Sequence, residues 1–528
     1  MDFFTFAIAV LFILAVIDLS VGVSNDAVNF LNSAIGSRVA TRRTIMIVAT
    51  VGIIVGALFS SSIMDVARKG IFNPEMFSFA DVMVVFLAVM IADILLLDLF
   101  NTFGLPTSTT VSIVFELLGA ALAVAIISVV GSPDAPPFMD FINSSNAVAI
   151  ITGIFLSVGI AFAVGTFVQF VSRLLFTFED SRHTNAARVT WSAIALSVIS
   201  YFLFIKGLKG AGFVTPGVLE YVSHNTLMIL AIFFSLWLAV SYALLRAGIN
   251  PLVFVVLSGT FALAMAFASN DLVNFIGVPL AGLESWKAWS GSGIDPDAFQ
   301  MDILTEPVRG NSSYLFVAGI IMAVTLWLSS KARSVTHTEI TLARQDEGSE
   351  RFRPGPLSRT LVRLFLTASE AVRSITPGQW RTGIASRFRR EQKSERVQDA
   401  PAFDLVRASV NLAVASILIA IATSMKLPLS TTFVSFMVAM GTSLADQAWG
   451  RESATYRVAG VLSVIGGWFL TAAAALCLAG LFAVLLSLFG AYALAGLLML
   501  VGFTLFHSYR YHGIRQSREQ QSQAVEAA

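Results

Sequence analysis

GVSNDAVNFLNSAIGS, residues 22–37, turns polar directly behind an apolar run, where a chain crossing a bilayer has no water to satisfy Ser, Asn or Asp. A near copy, FASNDLVNFIGVPLAG, stands at 267–282, again behind an apolar run. Aligned as SNDAVNFL (24–31) and SNDLVNFI (269–276), the two share Ser, Asn, Asp, Val, Asn and Phe in place. A second pair follows in the same order. LPTSTTVSIVFELLGAALA (105–123) and LPLSTTFVSFMVAMGTSLA (427–445) share Leu, Pro, Ser, Thr and Thr, then Gly119 with Gly441. Two unrelated polar motifs repeated in one order mark an internal duplication.

Composition fixes the setting. The chain has 528 residues, 56% hydrophobic and 13% charged, against about 25% charged in soluble domains. Apolar runs fall near 3–23, 44–63, 82–102, 108–130, 146–171, 190–206, 225–245, 250–269, 313–329, 406–425, 430–448, 456–486 and 488–507, each close to the roughly 20 residues that span a bilayer. The expected fold is an all-α polytopic membrane protein of about 12 transmembrane helices, with broken helices or re-entrant hairpins. A net charge of +1 gives no argument for nucleic acid. Cys477, the single cysteine, cannot form an intramolecular disulfide and reads as a small apolar core residue. The N-terminus lacks a basic leader region and reads as a retained first span.

Lys and Arg in short loops set the orientation. SRVATRR (37–43) and SRHTNAAR (181–188) are placed inside, and GSPDAPPFMDFINSSN (131–146), with no Lys or Arg, outside. The N-terminus is then outside, and RKG (68–70) falls outside against the rule. The run ending at Asp26 goes inward and the run ending at Asp271 goes outward, so the two halves are inverted repeats. The organisation expected is a first repeat at 1–206, a connecting membrane region at 207–249, a second repeat at 250–330 and 406–507, a basic cytoplasmic insert at 331–405 and a tail at 508–528. Within the insert, Leu357, Leu361, Leu364 and Phe365 recur at helical spacing beside Arg359, Arg363 and Arg373, which fits an amphipathic helix on the membrane surface or a solvated linker with one short helix.

Inverted repeats with polar interruptions at matching places point to a secondary transporter with its site near the midplane. Ser24, Asn25, Asp26 and Asn29, with Ser269, Asn270, Asp271 and Asn274, imply non-helical breaks around a wet cavity. Pro106 and Pro428 mark helix starts, placing Ser108, Thr109, Thr110 and Ser430, Thr431, Thr432 at their mouths. Free N–H donors and about half a positive charge at each mouth suit an oxyanion. Asp26 and Asp271 would repel that anion. Either cations lie between them, for which Asp and Asn oxygens suit sodium, or one carboxyl carries a proton. At an inside-negative potential each charge is worth about 2.3 kcal/mol per 100 mV, so a dianion needs at least two accompanying positive charges to enter without opposition.

The four motif copies resemble the inorganic phosphate transporter (PiT) family of sodium- or proton-coupled phosphate permeases. That family repeats G-x-N-D-x-x-N and P-x-S-T-T-H in an inverted architecture; here they read GVSNDAVNF, FASNDLVNF, LPTSTTV and LPLSTTF, with IGVPLAG after the second. The resemblance covers nearly all spans outside 331–405. It implies cation-coupled phosphate uptake at the cell membrane, with no cofactor, Ser108, Thr109, Thr110, Ser430, Thr431, Thr432, Asn25 and Asn270 on phosphate, and Asp26, Asp271, Asn29 and Asn274 on sodium. Val111 and Phe433 stand where the family has His, and VATVGIIVGALFSS lacks the family's glutamate. Four other carboxylates lie within or beside apolar runs of the first half. Glu116 and Asp98 are candidate coupling groups, Asp98 with Asn101 lining the cavity, whereas Asp18 and Asp93 read as interhelical hydrogen-bonding groups. GIIVG (52–56) has the glycine spacing of close helix packing.

The reading is a symporter importing inorganic phosphate with cations, sodium preferred, by alternating access. Its partners are phosphate, sodium and the lipid bilayer, with the oligomeric state left open. The rivals are a sulfate carrier of the same build, a proton-coupled phosphate carrier and an anion channel. HPO4 brings a proton that a carboxylate can accept and sulfate does not, which favours phosphate. No HExxH, no phosphate loop ending in GK[ST] and no recognisable nucleophile–base pair argues for an enzyme.

Overall fold

The structure, a computed structural model, describes residues 3–58, 66–131, 136–178, 184–210, 216–306, 312–344, 355–375, 377–388, 401–424, 429–447 and 453–527. In chain order its helices are α1 (Phe3–Asp26), α2 (Val28–Gly36), α3 (Arg42–Leu58), α4 (Phe79–Phe103), α5 (Thr109–Gly131), α6 (Ser144–Leu175), α7 (Asn185–Gly210), α8 (Pro216–His224), α9 (Thr226–Arg246), α10 (Pro251–Ser290), α11 (Ser312–Leu328), α12 (Lys331–Ala343), α13 (Pro356–Ile375), α14 (Gly378–Arg387), α15 (Leu405–Ser424), α16 (Thr431–Ala445) and α17 (Ser453–Ala527). Among the described residues nine helices are long and apolar enough to cross a membrane, or up to ten counting the pair α11–α12, which bends by 70°. The apolar run at 430–448 becomes α16, whose 15 residues are too short to cross a bilayer core alone.

The long antiparallel crossing of α1 and α10 brings the two SND motifs together. Phe4 at the start of α1 meets Trp289 at the end of α10, and Phe30 of α2 meets Phe267. Between them the absent side chain of Gly22 lets the Phe275 ring lie where a Cβ would be, 2.0 Å from its nearest carbon. The expected non-helical breaks at these motifs are corrected by the structure. α10 runs helically through Ser269–Asn274 and past Pro279. Ala27, between α1 and α2, keeps right-handed helical dihedrals and the bond from its N–H to the Val23 carbonyl. The polar side chains are satisfied by other helices, so the backbone has no need to unwind.

Chain reversals occur instead ahead of the STT motifs. Ser78 and Asp81 form a capping box at the start of α4, and Gly104, at φ +63°, ends that helix. Ser108 then caps α5, accepting from the Val111 N–H at 3.1 Å. In the other half Ser430 caps α16, accepting from the Phe433 N–H at 3.0 Å. Pro428, expected to mark that helix start, lies outside the described residues. Phe433 stacks on Trp468 at 3.8 Å between centroids, so this position serves packing.

α5 lies along α17 and α16 along α6, each short of space for a side chain. A Cβ on Gly119 would sit 2.1 Å from the Leu476 carbonyl oxygen, and one on Gly441 2.4 Å from that of Phe162. Gly52 and Gly56 pack as tightly on α10, the role their spacing suggests. Replacing Gly119 or Gly441 by Val should cost about 1–3 kcal/mol or more through overpacking. Thermal unfolding of the purified protein in detergent should fall by several degrees for each; an unchanged midpoint would refute the close contact.

Three other expectations meet the structure here. Cys477 is exposed on the outer face of α17, not in the core, because the run around it presents a lipid-facing side. α13 is a helix over Pro356–Ile375, with Leu357 and Leu364 exposed. The first residues of the basic insert form α12, which seats against α2, α4 and α16. The RKG stretch is folded into protein: Arg68 pairs with Glu284 at 3.2 Å and donates to the Ile303 carbonyl, while Lys69 donates to that of Thr305. At Gly490, φ +50°, α17 breaks. Both arms reach α12 or its end, Arg457 through the Arg344 carbonyl and Ser508 through Lys331, so the chain doubles back at that glycine.

Candidate functional site

Where α1–α2, α5, α10 and α16 meet, the repeated residues close on themselves. Thr109 donates to Asp26 Oδ2 at 2.9 Å and Thr432 to Asp26 Oδ1 at 3.1 Å. Thr110 donates to Asp271 Oδ1 at 3.3 Å and Thr431 to Asp271 Oδ2 at 2.5 Å. The Asn29 amide donates to Thr431 and Thr432 at 3.4 and 3.0 Å, and the Asn274 amide to Thr109 and Thr110 at 3.2 and 3.1 Å. These contacts make one circuit: Asp26, Thr109, Asn274, Thr110, Asp271, Thr431, Asn29, Thr432 and back to Asp26. Thr109 and Thr110 are consecutive, yet each serves a different aspartate, so the two carboxylates lie close together. Asp26 is 0% and Asp271 1% exposed, so the circuit is closed to bulk solvent.

The electrostatics follow from the circuit. A hydroxyl has one proton, and each of the four goes to a carboxylate oxygen while its lone pair receives an amide N–H. The N-terminal ends of α5 and α16, carrying partial positive charge, are covered by those same carboxylates. Negative side chains and positive helix ends thus satisfy one another in this arrangement. Among the described residues no group of three or more His, Cys, Asp or Glu could hold a metal ion, so any cation here would be bound by mixed carboxylate, amide and hydroxyl oxygens.

The other expected residues are placed as follows. Ser108 and Ser430 are the caps of α5 and α16. Asn25, expected on the cargo, braces the α4–α5 turn in this structure. Its Nδ2 donates to Asn101 Oδ1 at 2.9 Å and to the Leu105 carbonyl at 3.2 Å, and its Oδ1 accepts from the Thr107 N–H at 2.9 Å. Asn270 neighbours Asp271 on α10 and is 9% exposed. Asp98 lies away from the circuit, in an ion pair with Lys331 at 2.5 Å that ties α12 to α4; Ser508 shares that lysine. Asn32 of α2 donates to Glu339 of α12 and ties that helix to α2 as well.

Glu116 belongs to a second buried acidic group, close enough for Asp18 and Asp93 to feel the charge of Asp26. Ser112 donates to its Oε1 at 2.7 Å, and Asp93 and Asp18 stand beside it. Asp18 and Asp93, read as interhelical hydrogen-bonding groups, do meet each other, carboxyl to carboxyl, across α1 and α4.

Sequence reasoning missed a polar stripe running from the circuit along α2, α15 and α16. Ser435 donates to Asn29 Oδ1 at 2.9 Å. Asn411 donates to Ser33 at 3.2 Å, Thr442 to Asn411 Oδ1 at 2.6 Å, and Arg407 to Thr442 at 3.3 Å. Beyond it Arg173 grips Asp446 at 2.7 and 2.8 Å and Asp404 at 2.7 Å. The available signal was the i, i+4 pair Arg407 and Asn411 at the start of an apolar run.

A bundle of apolar helices around a closed carboxylate–hydroxyl circuit defines a multi-pass membrane protein with a buried polar centre. The chain belongs to the phosphate transporter family, whose model matches residues 22–338. It is 28% identical over 269 residues to a protein of Thermococcus kodakarensis and 26% identical over 268 residues to one of Helicobacter pylori, both named "Putative phosphate permease". Each match covers 49% of this chain, with 62% of the Thermococcus protein and 48% of the Helicobacter one. The fold is also that of a solved structure titled "The sodium-dependent phosphate transporter", at a TM-score of 0.62 and 16% identity over 92% of this chain and 99% of that one.

Proposed function

We propose that this chain carries inorganic phosphate across the cell membrane together with cations, sodium preferred, by alternating access around the circuit. The closed circuit carries the reading. While the four threonine protons and both helix ends face carboxylates, a dianion has nothing to bind. Sodium ions taken by Asp26 and Asp271, with Asn29 and Asn274 beside them, give the carboxylates other partners. Thr109, Thr110, Thr431 and Thr432 then turn to the anion at the freed helix starts that Ser108 and Ser430 hold. Anion binding depends on cation binding, which is what coupling requires.

Inverted repeats fit this reading. Exchanging Asp26 with Asp271, Asn29 with Asn274, Thr109 with Thr431 and Thr110 with Thr432 leaves every bond of the circuit in place, and α1 and α10 run antiparallel. The names of the relatives and of the solved structure point to the same cargo and ion.

The test is uptake of labelled phosphate into proteoliposomes with sodium and pH gradients imposed separately. Accumulation should follow the sodium gradient and collapse without it, and an equal concentration of sulfate should leave most uptake intact. Complete inhibition by sulfate would assign the cargo to sulfate, and passive flux alone would favour a channel. A second reading, proton coupling, is favoured by the Asp18–Asp93–Glu116 group, which pairs with no cationic side chain among the described residues; accumulation on a pH gradient alone would establish it.

A further inference from the structure

Arg407 is an unusual charge among the described residues. Its side chain is 0% exposed, one turn into α15. A buried guanidinium ordinarily faces a carboxylate, because an unpaired buried charge is costly. The two acids nearest it, Asp404 and Asp446, are both gripped by Arg173. Those two acids are close enough to act on the charge of Arg407, but the direct contacts of its guanidinium among the described residues are a 3.3 Å bond from Nε to the Thr442 hydroxyl, a 3.3 Å bond from Nη2 to the Ala439 carbonyl, and the Phe403 ring 5.1 Å away. Among the described residues its buried Nη1 has no hydrogen-bond partner.

Its position gives the charge a use. From the circuit the polar stripe passes Asn29, one turn along α2 to Ser33, then Asn411, Thr442 and Arg407. Ala439 and Thr442 lie seven and ten residues beyond Thr432 on α16, which puts Arg407 roughly 10–15 Å from the circuit at 1.5 Å per residue. Among the described residues the stripe contains hydroxyls, amides and a guanidinium but no carboxylate until Asp446 and Asp404, which Arg173 holds. Such a series suits a travelling oxyanion, and a guanidinium with spare N–H groups is the side chain that best matches a tetrahedral oxyanion's edge.

We infer that Arg407 forms a second oxyanion subsite, where phosphate pauses between the circuit and the membrane face at which α15 begins. The inference rests on phosphate being the cargo. The anion completes the hydrogen bonding of Nη1, and Thr442 and Asn411 hand it along. Because the side chain is wholly enclosed, the ligand is the transported ion and not a lipid headgroup.

The experiment measures phosphate KM from each face in proteoliposomes of known orientation, for wild type, Arg407→Gln and Asn411→Asp. The second variant keeps the arginine and sets a near-isosteric carboxylate one helical turn from it, where it captures the guanidinium as an ion pair. Both variants should raise KM at the α15 face about tenfold or more while KM at the opposite face stays within about twofold. Arg407→Lys should keep part of the affinity, since the charge remains without the fork. Equal changes on both faces in Asn411→Asp, or no change there, overturn the subsite even if Arg407→Gln fails to fold. A wild type that moves no phosphate would instead sink the proposed cargo, and the subsite with it.

Discussion

Asp26→Asn and Asp271→Asn should each abolish cation-driven phosphate uptake, by roughly 10² to 10³-fold, with the protein still present in the membrane. Each carboxylate accepts from two threonine hydroxyls, one on each oxygen. An amide accepts on its oxygen only, so one hydroxyl keeps its acceptor while the other confronts an N–H2 group and loses one. The buried site also loses the charge that would draw a cation in. Removing one partner from a buried charged network costs about 3–5 kcal/mol, and about 1.4 kcal/mol is a factor of ten. The measurement is initial uptake per molecule of protein in the membrane, with wild type and variant quantified together. Because the circuit treats both aspartates alike, the two variants should fail to a similar degree. Uptake near wild type in either would remove that residue from the machinery.

The second large effect is expected of Thr→Val, which keeps the shape of the side chain and deletes its hydroxyl. Thr109→Val or Thr432→Val each takes one donor from Asp26 and one acceptor from an asparagine amide. A hydrogen bond to a charged group is worth about 1.5–3 kcal/mol, so kcat/KM should fall roughly 10- to 100-fold for each. Since both serve the same carboxylate, the double variant should lose less than the product of the two single losses. Kinetics of sodium-driven uptake for the two singles and the double settles this. Strict additivity would mean that the residues act independently and that the circuit has no cooperative meaning.

Much of the centre was legible from the repeated motifs, because identical residues at identical spacing are hard to place anywhere but around one axis. The serine caps followed from helix-start chemistry. Continuity of α10 through Asp271 did not, since a polar cluster in an apolar run looks the same whether the backbone unwinds or neighbouring helices answer it. The bonds of Asn25 to the α4–α5 turn went unread for a related reason: motif membership does not reveal which side chain points to a turn. Asp98 and α12 are tertiary facts, as Lys331 sits 233 residues from its acid. The Arg407 stripe went unread because its members come from three helices and only the pair Arg407 and Asn411 shares one of them. Cys477 shows the converse error, an apolar neighbourhood taken for an interior when its outer face meets lipid.

The tight glycine contacts at Gly119 and Gly441 also bear on how the chain is made. α5 belongs to the first half but rests on α17, and α16 belongs to the second half but rests on α6. As the polypeptide emerges, α5 has to wait more than 300 residues for the surface it fits, while α16 arrives to find its partner already synthesised. Biogenesis is therefore asymmetric even where the finished architecture looks balanced. A severed first half expressed alone would expose its glycine groove to lipid and invite degradation, and co-expression of the missing half should rescue it.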